Sequence, residues 1–511
     1  MTGIFRRAAA LAVVLVLSAL LAVPAGAATR FSDVPADHWA AQSIARAVDA
    51  GLIQGRGDGT FGLGQPMTRA SFVTVLGRLM GWKTVTPDDE PTFTDVGPED
   101  WFYGAVETAC ANGAVLSQSG TFRPADAVTR EEMASMLVRC LGYETLSGLA
   151  LDLPTTFQDL TTNAGYIAVA YDLGLMNGYS ATTFGPNDPA SREEAAVVLM
   201  RLHDRLGDGL PAAVSGVWAG GSDSGAALTK AGPLDAVAVP GLKITKGGQT
   251  VLTDAGTVGS VTDTGARALF HVEYDAEALP EAAQAESAAA QLLSAAADAG
   301  CRGVLLDCAD SDAAHKAAYT ALAQALKRAM EEGWVLYVTA QAPVWQGESP
   351  QGYDYAALGK SADRLVVQVG AYEEMVGGFP TTPPEPLEEV YYALCKLTEQ
   401  VAPEKLSLSL TTTAAAWVDS GKGYQPGGEM PVQELEELLE DGQTYYSERY
   451  QAAYGLSEER GRTTAVWYLN ADAAAERVQL ARLLGVTHVT LSDAASVSES
   501  GPYSIAGALW K

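Results

Sequence analysis

The sequence predicts a multidomain fold in which an all-α repeat block precedes an α/β barrel of the (β/α)8, TIM type. Two observations carry this. The stretches Thr68-Arg69-Ala70-Ser71, Thr129-Arg130-Glu131-Glu132 and Ser191-Arg192-Glu193-Glu194 recur with their arginines 61 and 62 residues apart, each opening an apolar-periodic run that reads as a helix. From Ser215 to Lys511, 297 residues, short apolar runs alternate with helical patterns in about eight units, the spacing of a closed parallel sheet. At 511 residues, 48% hydrophobic and 19% charged, the chain is too long for one core.

In chain order, Arg6-Arg7, the apolar run Ala8 to Val23 and Ala25-Gly26-Ala27 form the three regions of a secretory signal, with cleavage expected before Ala28. No cysteine stands at the expected cleavage site, which argues against a lipoprotein, and no later segment reads as a membrane span, so after cleavage no membrane association is expected. A net charge of −29 disfavours nucleic acid as a partner. The five cysteines (Cys110, Cys140, Cys301, Cys308, Cys395) read as small buried thiols, not a disulfide framework. Neither they nor the five scattered histidines have metal-ligand spacing, so no metal and no cofactor is expected.

The repeat block keeps one register three times. Phe31-Ser32-Asp33-Val34, Phe93-Thr94-Asp95-Val96 and Phe157-Gln158-Asp159-Leu160 open the units, spaced by 62 and 64 residues. An aromatic follows (Trp39, Trp101, Tyr166), then a short helix ending at Gly51, Gly113 or Gly174, where a left-handed cap is expected. Phe61, Phe122 and Phe184 stand eight residues before their arginines and, with the opening phenylalanines, read as core. Thr129 with Glu132, and Ser191 with Glu194, have capping-box spacing; Ser71 leaves the first box incomplete. Capping does not explain the arginines. A cation in the first helical turn opposes the helix dipole, so each is expected to meet an anion.

These residues resemble S-layer homology domains: F-x-D-V, then Trp, then G-L-I-x-G (Gly51-Leu52-Ile53-Gln54-Gly55; Gly174-Leu175-Met176-Asn177-Gly178), then G-T-F and T-R-x-E. The resemblance implies a pseudo-threefold spindle whose inter-repeat grooves bind pyruvylated secondary cell-wall polysaccharide. Arg69, Arg130 and Arg192 would pair with its carboxylates. Trp39, Trp101 and Tyr166 would face sugar rings, and Asp33, Asp95 and Asp159 either join the grooves or only form turns and caps. The expected domains are a signal peptide at 1–27, repeats at 28–90, 91–152 and 153–206, a linker at 207–214 and the barrel at 215–511. Repeat 2 departs from the pattern at Gly113-Ala114-Val115-Leu116-Ser117, and repeat 3 at Tyr166.

The candidate strands are Gly216 to Ala219, Asp235 to Pro240, Arg267 to Glu273, Gly303 to Cys308, Trp334 to Ala340, Arg364 to Val369, Leu406 to Leu410, Val466 to Leu469 and Thr487 to Leu491. Nine candidates for eight places means one belongs elsewhere. Functional residues should gather at the carboxyl ends of the strands. There, Gly303 to Asp310 resembles the D-G-x-D-x-D-x-E strand of glycoside hydrolase family 18, and Gly352 to Asp363 resembles its Y-D-Y-x-x-I-G-x-x-x-D segment. With Asp307 as the residue that orients the substrate's N-acetyl group, the family's acid position holds Ala309, and earlier acidic positions hold Leu305 and Arg302. A frame shifted by one makes Asp310 the acid but puts Cys308 in the orienting place. Glu273, Asp275, Glu373 and Glu374 are other rim carboxylates. Trp218, Trp345, Trp417, Trp467 and Tyr372 are candidates to line a glycan cleft or to be core.

The expectation is therefore a secreted protein at the cell wall or S-layer surface, anchored without lipid, whose glycosidase-like barrel binds glycan with little or no hydrolysis. The alternatives are an active hydrolase of N-acetylglucosamine-containing wall glycan or chitin, and a scaffold without a ligand.

Overall fold

A computed structural model of the chain describes residues 30–85, 90–152, 156–160, 162–207, 209–218, 228, 232–252, 255–372, 374–497 and 501–510. The expected signal segment lies outside them. Among the described residues no helix is long and apolar enough to cross a membrane. The chain divides into two compact units, one up to Tyr171 with Leu175–Asp204, the other Asp172–Gly174 with Arg205–Lys511.

In the first unit the regular elements are the helices α1 (Ala41–Asp49), α2 (Arg69–Leu79), α3 (Tyr103–Ala111), α4 (Arg130–Cys140), α5 (Glu144–Leu149), α6 (Ala164–Asp172) and α7 (Arg192–Leu206). Long loops take up much of the rest, so all-α describes its regular elements and not most of its chain. Three hydrogen bonds close a ring: Met67 N–H donates to Ala190 O, Ala190 N–H to Val128 O and Val128 N–H to Met67 O, each at 2.9 Å. Around it, each arginine-bearing helix finds acceptors for its orphan first-turn N–H groups in the next repeat. Arg69 N–H donates to Asp126 O, Arg130 N–H to Asp188 O and Arg192 N–H to Gln65 O, at 2.9, 3.0 and 2.9 Å. Repeat 3 thus docks on repeat 1 as 1 docks on 2 and 2 on 3.

Within each repeat the opening phenylalanine packs on the later one, Phe31–Phe61, Phe93–Phe122 and Phe157–Phe184, with ring centroids 5.6, 5.7 and 5.5 Å apart. All six are buried. Gly51, Gly113 and Gly174 end their helices at φ of +71°, +71° and +64°, a conformation that penalises any Cβ.

The second unit is a closed barrel. Its strands are β1 (Ala213–Val217), β2 (Ala236–Thr245), which turns into the hairpin partner β3 (Gly248–Val251), β4 (Arg267–Tyr274), β5 (Gly303–Asp307), β6 (Val335–Gln341) and β7 (Arg364–Gln368). The short hairpin β8 (Glu374–Val376) and β9 (Phe379–Thr381) follows, then β10 (Leu406–Leu410). Five antiparallel strands come next: β11 (Ala414–Asp419), β12 (Tyr424–Met430), β13 (Gln443–Ser447), β14 (Ala452–Glu459) and β15 (Arg462–Tyr468), before β16 (His488–Leu491) completes the chain of strands. Parallel pairing runs β1-β16-β10-β7-β6-β5-β4-β2, and β1 also pairs with β2, closing eight strands. The helices α8 (Ala255–Asp263), α9 (Ala285–Asp298), α10 (Lys316–Ala329), α11 (Tyr355–Ser361), α12 (Leu387–Thr398), α13 (Val432–Leu439) and α14 (Ala471–Leu483) lie between them. Ala236, Ala238, Leu269, Leu305 and Val366, with Val217, Val335 and Tyr337 against them, fill the lumen.

Eight of the nine candidate strands coincide with barrel strands. The ninth, Val466 to Leu469, belongs to the separate sheet β12-β11-β15-β14-β13, which with α13 forms an insertion between β10 and α14. The first barrel strand begins at Ala213, within the expected linker.

One buried cation fastens the insertion to the barrel. Arg477, fully buried on α14, donates to the carbonyls of Pro384, Glu385, Tyr450, Gln451 and Ala473. Beside it Glu385 sits at φ +37°, with Oε1 accepting from the Thr411 N–H and hydroxyl and Oε2 buried without a partner among the described residues. Burial pushes the Glu385 carboxyl up to about 7, against the opposing pull of Thr411 and Arg477. A folded-state pKa above the unfolded value of 4.5 means that this residue's contribution is full at low pH and is lost as pH rises toward 7. Comparing Glu385→Gln with the parent chain by chemical denaturation from pH 4.5 to 7 should show the parent's relative stability falling by up to about 1.4 kcal/mol per pH unit. Parallel curves would refute the assignment.

Candidate functional site

Each inter-repeat groove is built from an arginine of one repeat and the helix start of the next. Glu132 serves two masters: Oε2 accepts the Thr129 N–H of its own capping box at 3.0 Å, and Oε1 pairs with Arg69 Nη1 at 2.8 Å. Glu194 does the same with the Ser191 N–H at 2.8 Å and Arg130 Nη1 at 2.9 Å. Arg69 and Arg130 are 7% and 5% exposed, and their Nε groups donate to the Phe122 and Phe184 carbonyls at 2.8 and 2.9 Å. The anion that the sequence led us to expect beside these two is therefore a glutamate of the next repeat. Arg192 donates from Nε to Phe61 O at 2.9 Å and from Nη2 to Gln54 O at 2.8 Å. Ser71 occupies the place of the glutamate, and among the described residues no carboxylate lies within 4.0 Å of the Arg192 guanidinium.

Trp39 and Trp101 are 62% and 70% exposed, large apolar faces left in solvent. Trp39 lines a cavity of ≈ 290 Å³ with Arg130, Asn177, Tyr179, Glu194 and Arg201. Trp101 lines one of ≈ 120 Å³ with Gln54, Ser71, Arg78 and Arg192. Tyr166 is engaged otherwise: its hydroxyl donates to Glu144 at 2.7 Å and the Arg139 guanidinium covers its ring at 4.6 Å. Arg78, Arg139 and Arg201 form a second arginine triplet that the sequence reading missed. Its signal was present, since each stands nine residues after the first arginine of its helix.

The aspartates of the F-x-D signature are turned inward to the chain. Asp33 accepts the N–H groups of Phe61, Gly62 and Leu63 at 2.7, 2.8 and 2.9 Å. Asp95 accepts those of Phe122 and Arg123, both at 2.7 Å, and Asp159 those of Phe184 and Gly185, both at 2.8 Å. Each thus clamps the loop that carries the second phenylalanine.

In the barrel, Lys243, Glu273, Asp307 and Thr339 form one row across adjacent strands β2, β4, β5 and β6 at their carboxyl ends. Lys243 Nζ pairs with Glu273 at 2.5 Å, and the Thr339 hydroxyl donates to Asp307 at 2.5 Å. His271 Nε2 lies 3.5 Å from Asp307, out of line for a full hydrogen bond. Burial raises the Asp307 pKa, but the pull of His271 and the Thr339 bond outweigh it and hold the carboxyl below its usual range. Asp307 is thus a fixed anion, suited to orienting a ligand and unsuited to giving up a proton.

The expected partner Asp310 does not join it. It is exposed, and its Oδ1 accepts the Ala276 N–H at 2.9 Å, capping the turn after β4, because β5 has ended and strand alternation no longer returns the chain to the lumen. Ala309 is exposed and offers no acid. Trp218 and Trp467, expected as cleft residues, are 2% and 3% exposed and hence core; the Trp467 indole donates to Pro380 O at 2.8 Å. Tyr372 is half-buried and packs edge-on against Tyr450. Glu374 is exposed, and Glu373 lies outside the described residues. The exposed end of the aromatic cluster is a different residue: Tyr445, 41% exposed, stacks on Tyr454, which stacks on Trp467, at 5.1 and 4.8 Å in register across β13, β14 and β15.

Comparison with known proteins matches the S-layer homology domain at residues 30–73, 92–134 and 156–196. Three such domains therefore make up the repeat block. Similar curated proteins include an amylopullulanase of Thermoanaerobacterium thermosulfurigenes, 31% identical over 184 residues, 35% of this chain and 10% of that one. Another is the S-layer protein EA1 of Bacillus anthracis, 33% identical over 190 residues, 36% of this chain and 21% of that one. The chain spans between a tenth and a quarter of the lengths of such relatives. Among solved structures, the spore cortex-lytic enzyme SleL of Bacillus megaterium is similar at 17% identity, covering 65% of this chain and 78% of that one, with a TM-score of 0.49. A chitinase of Chromobacterium violaceum is 21% identical, covering 58% and 96%, with a TM-score of 0.46.

Replacing Asp33 by Ala leaves three loop N–H groups unanswered and should destabilise the repeat block by about 1–3 kcal/mol, whereas Trp101→Ala, at an exposed site, should leave its melting temperature unchanged. Differential scanning calorimetry of both variants checks this. Equal melting temperatures for the parent and the Asp33 variant would refute the clamp.

Proposed function

We propose that this is a cell-surface protein held noncovalently to an anionic cell-wall polysaccharide by its three S-layer homology domains, which present the barrel as a glycan-binding module with little or no hydrolytic activity. One observation supports the anchor above others: largely exposed tryptophans stand beside arginines in two inter-repeat cavities, pairing an apolar face for a sugar ring with a cation for its acidic substituent. The relatives named as S-layer proteins favour the same location. The family resemblance makes a pyruvylated secondary polymer the first candidate ligand.

For the barrel, the row of Lys243, Glu273, Asp307 and Thr339 supports binding over cleavage. Asp307 is kept ionised, Glu273 is neutralised by Lys243, and the acid position is Ala309. A glycosidase without its general acid forfeits roughly 10²- to 10⁴-fold in rate.

The full chain should sediment with wall sacculi, and should stop doing so when acidic polymer is stripped from them with hydrofluoric acid or when Trp39 and Trp101 are both changed to Ala. Undiminished binding after stripping would overturn the anchor. Chito-oligomers and peptidoglycan incubated with the chain should yield no new reducing ends, while chito-oligomers should shift the intrinsic tryptophan or tyrosine fluorescence. Turnover that disappears in Asp307→Asn would replace the binding module with an enzyme, and the absence of any glycan binding would reduce the barrel to a scaffold.

A further inference from the structure

The three grooves share one plan but not one charge. In the groove of Arg130, Glu194 pairs with the guanidinium and the Tyr179 ring covers it at 4.4 Å, which leaves Arg201 as the cation of that cavity without an ion-pair partner among the described residues. In the groove of Arg69, Glu132 pairs with both Arg69 and Arg123, and Arg139 is matched by Glu144 at 3.6 Å over Tyr166. Repeat 1 supplies the third groove, and it substitutes both the glutamate and the tyrosine positions. Ser71 stands where Glu132 and Glu194 stand, and Arg56, after Gly55, stands where Tyr179 follows Gly178.

The consequence is a cluster of cations. A Cβ added at Gly62 would meet Arg56 Cδ at 3.0 Å and Arg192 Nε at 3.3 Å, so the two arginines converge on one spot close enough to repel, and Arg78 lines the same cavity as Arg192. Asp33 and Glu193 are close enough to exert an electrostatic pull on Arg192, but their oxygens face backbone N–H groups and form no ion pair with it. Asp33 holds three loop N–H groups, and Glu193 holds the Gly64 N–H at 3.1 and 3.0 Å. Asp58, near Arg56, is bound to Thr60 at 2.9 and 2.6 Å. Among the described residues, none of Arg56, Arg78 and Arg192 has an ion-pair partner. A half-buried arginine beside another cation, with a solvated tryptophan at the cavity edge, is a poor arrangement for stability and a good one for an acidic sugar.

We infer that the three grooves are specialised, and that the groove between repeats 3 and 1, which gathers three arginines without an ion-pair partner, is the principal reader of the anionic substituent of the wall polymer. Arg192, with Arg56 and Arg78, takes a carboxylate or phosphate, and Trp101 takes the pyranose that bears it. The Arg130 groove, where Glu194 offsets Arg130 and only Arg201 is left without an ion-pair partner among the described residues, binds the acid more weakly and holds sugar between Trp39 and Tyr179, and the Arg69 groove is closed by its own ion pairs. This inference rests on the anchoring reading and narrows it to one principal site.

The decisive variant is Ser71→Glu, which restores the capping box with Thr68 and supplies Arg192 with the internal partner that the other arginines have. Affinity electrophoresis of the full chain through hyaluronan, polyglycerol phosphate and neutral dextran provides the probes. The parent chain should be retarded by an acidic polymer and not by dextran, the better of the two acids identifying carboxylate or phosphate as the substituent. Ser71→Glu should weaken that binding about tenfold, the worth of one charge-assisted hydrogen bond, while its melting temperature rises. Arg56→Gln should weaken it less. A Ser71→Glu chain that binds acidic polymer and sacculi as the parent does would overturn the groove assignment and leave the anchor standing. A parent chain that binds no sacculi overturns the anchor itself.

Discussion

The repeat block depends on an interaction that no single repeat contains. The helix that opens with an arginine in one repeat is capped by backbone carbonyls of the next, and its guanidinium runs on to that repeat's phenylalanine carbonyl. A repeat alone would leave the first-turn N–H groups, the guanidinium and an apolar helix face all exposed to water. Three units therefore satisfy one another around a ring of single hydrogen bonds, which converts a marginal unit into a stable one. The aspartate clamp supports this arrangement, since it fixes the loop whose carbonyl the previous repeat's arginine must find.

The same economy explains why the grooves differ. A capping-box glutamate has two oxygens, one spent on its own helix and the other free to neutralise the neighbouring arginine. Where Ser71 replaces it, the helix cap survives, with the Thr68 oxygen still accepting the Ser71 N–H at 3.2 Å, but the arginine across the groove keeps its charge. A change that is nearly silent for the helix is thus a large one for the electrostatics of the groove.

The barrel shows a parallel separation of frame from chemistry. Its lumen is closed by small and branched apolar residues, and the carboxyl ends of the strands gather a polar row, as this architecture requires. The row contains the Asp307 carboxylate, held by Thr339, and the Lys243–Glu273 ion pair. The insertion, pinned through Arg477, brings the aromatic stack of Tyr445, Tyr454 and Trp467 into register on three strands of its sheet.

Much of this was written in the local sequence. The repeat register, the glycine caps, the core phenylalanines and the barrel strands follow from periodicity and turn chemistry, which act over a few residues. The antiparallel insertion did not follow. Its edge strand β12 carries Pro426, Gly427 and Gly428, a composition that reads as loop and is tolerated only because an edge strand may leave its N–H side unpaired. Val466 to Leu469 was legible as a strand but not as a member of another sheet, since pairing is a property of partners. Likewise the sequence raised the expectation that each arginine meets an anion, and placed Ala309 at the acid position beside Asp307. Only the tertiary structure decided which anions were supplied from within, that Asp310 faces Ala276, that Trp218 and Trp467 are core, and that Arg192 is left with its charge. Those are long-range choices, made by residues 30 to 140 positions apart, and no local pattern records them.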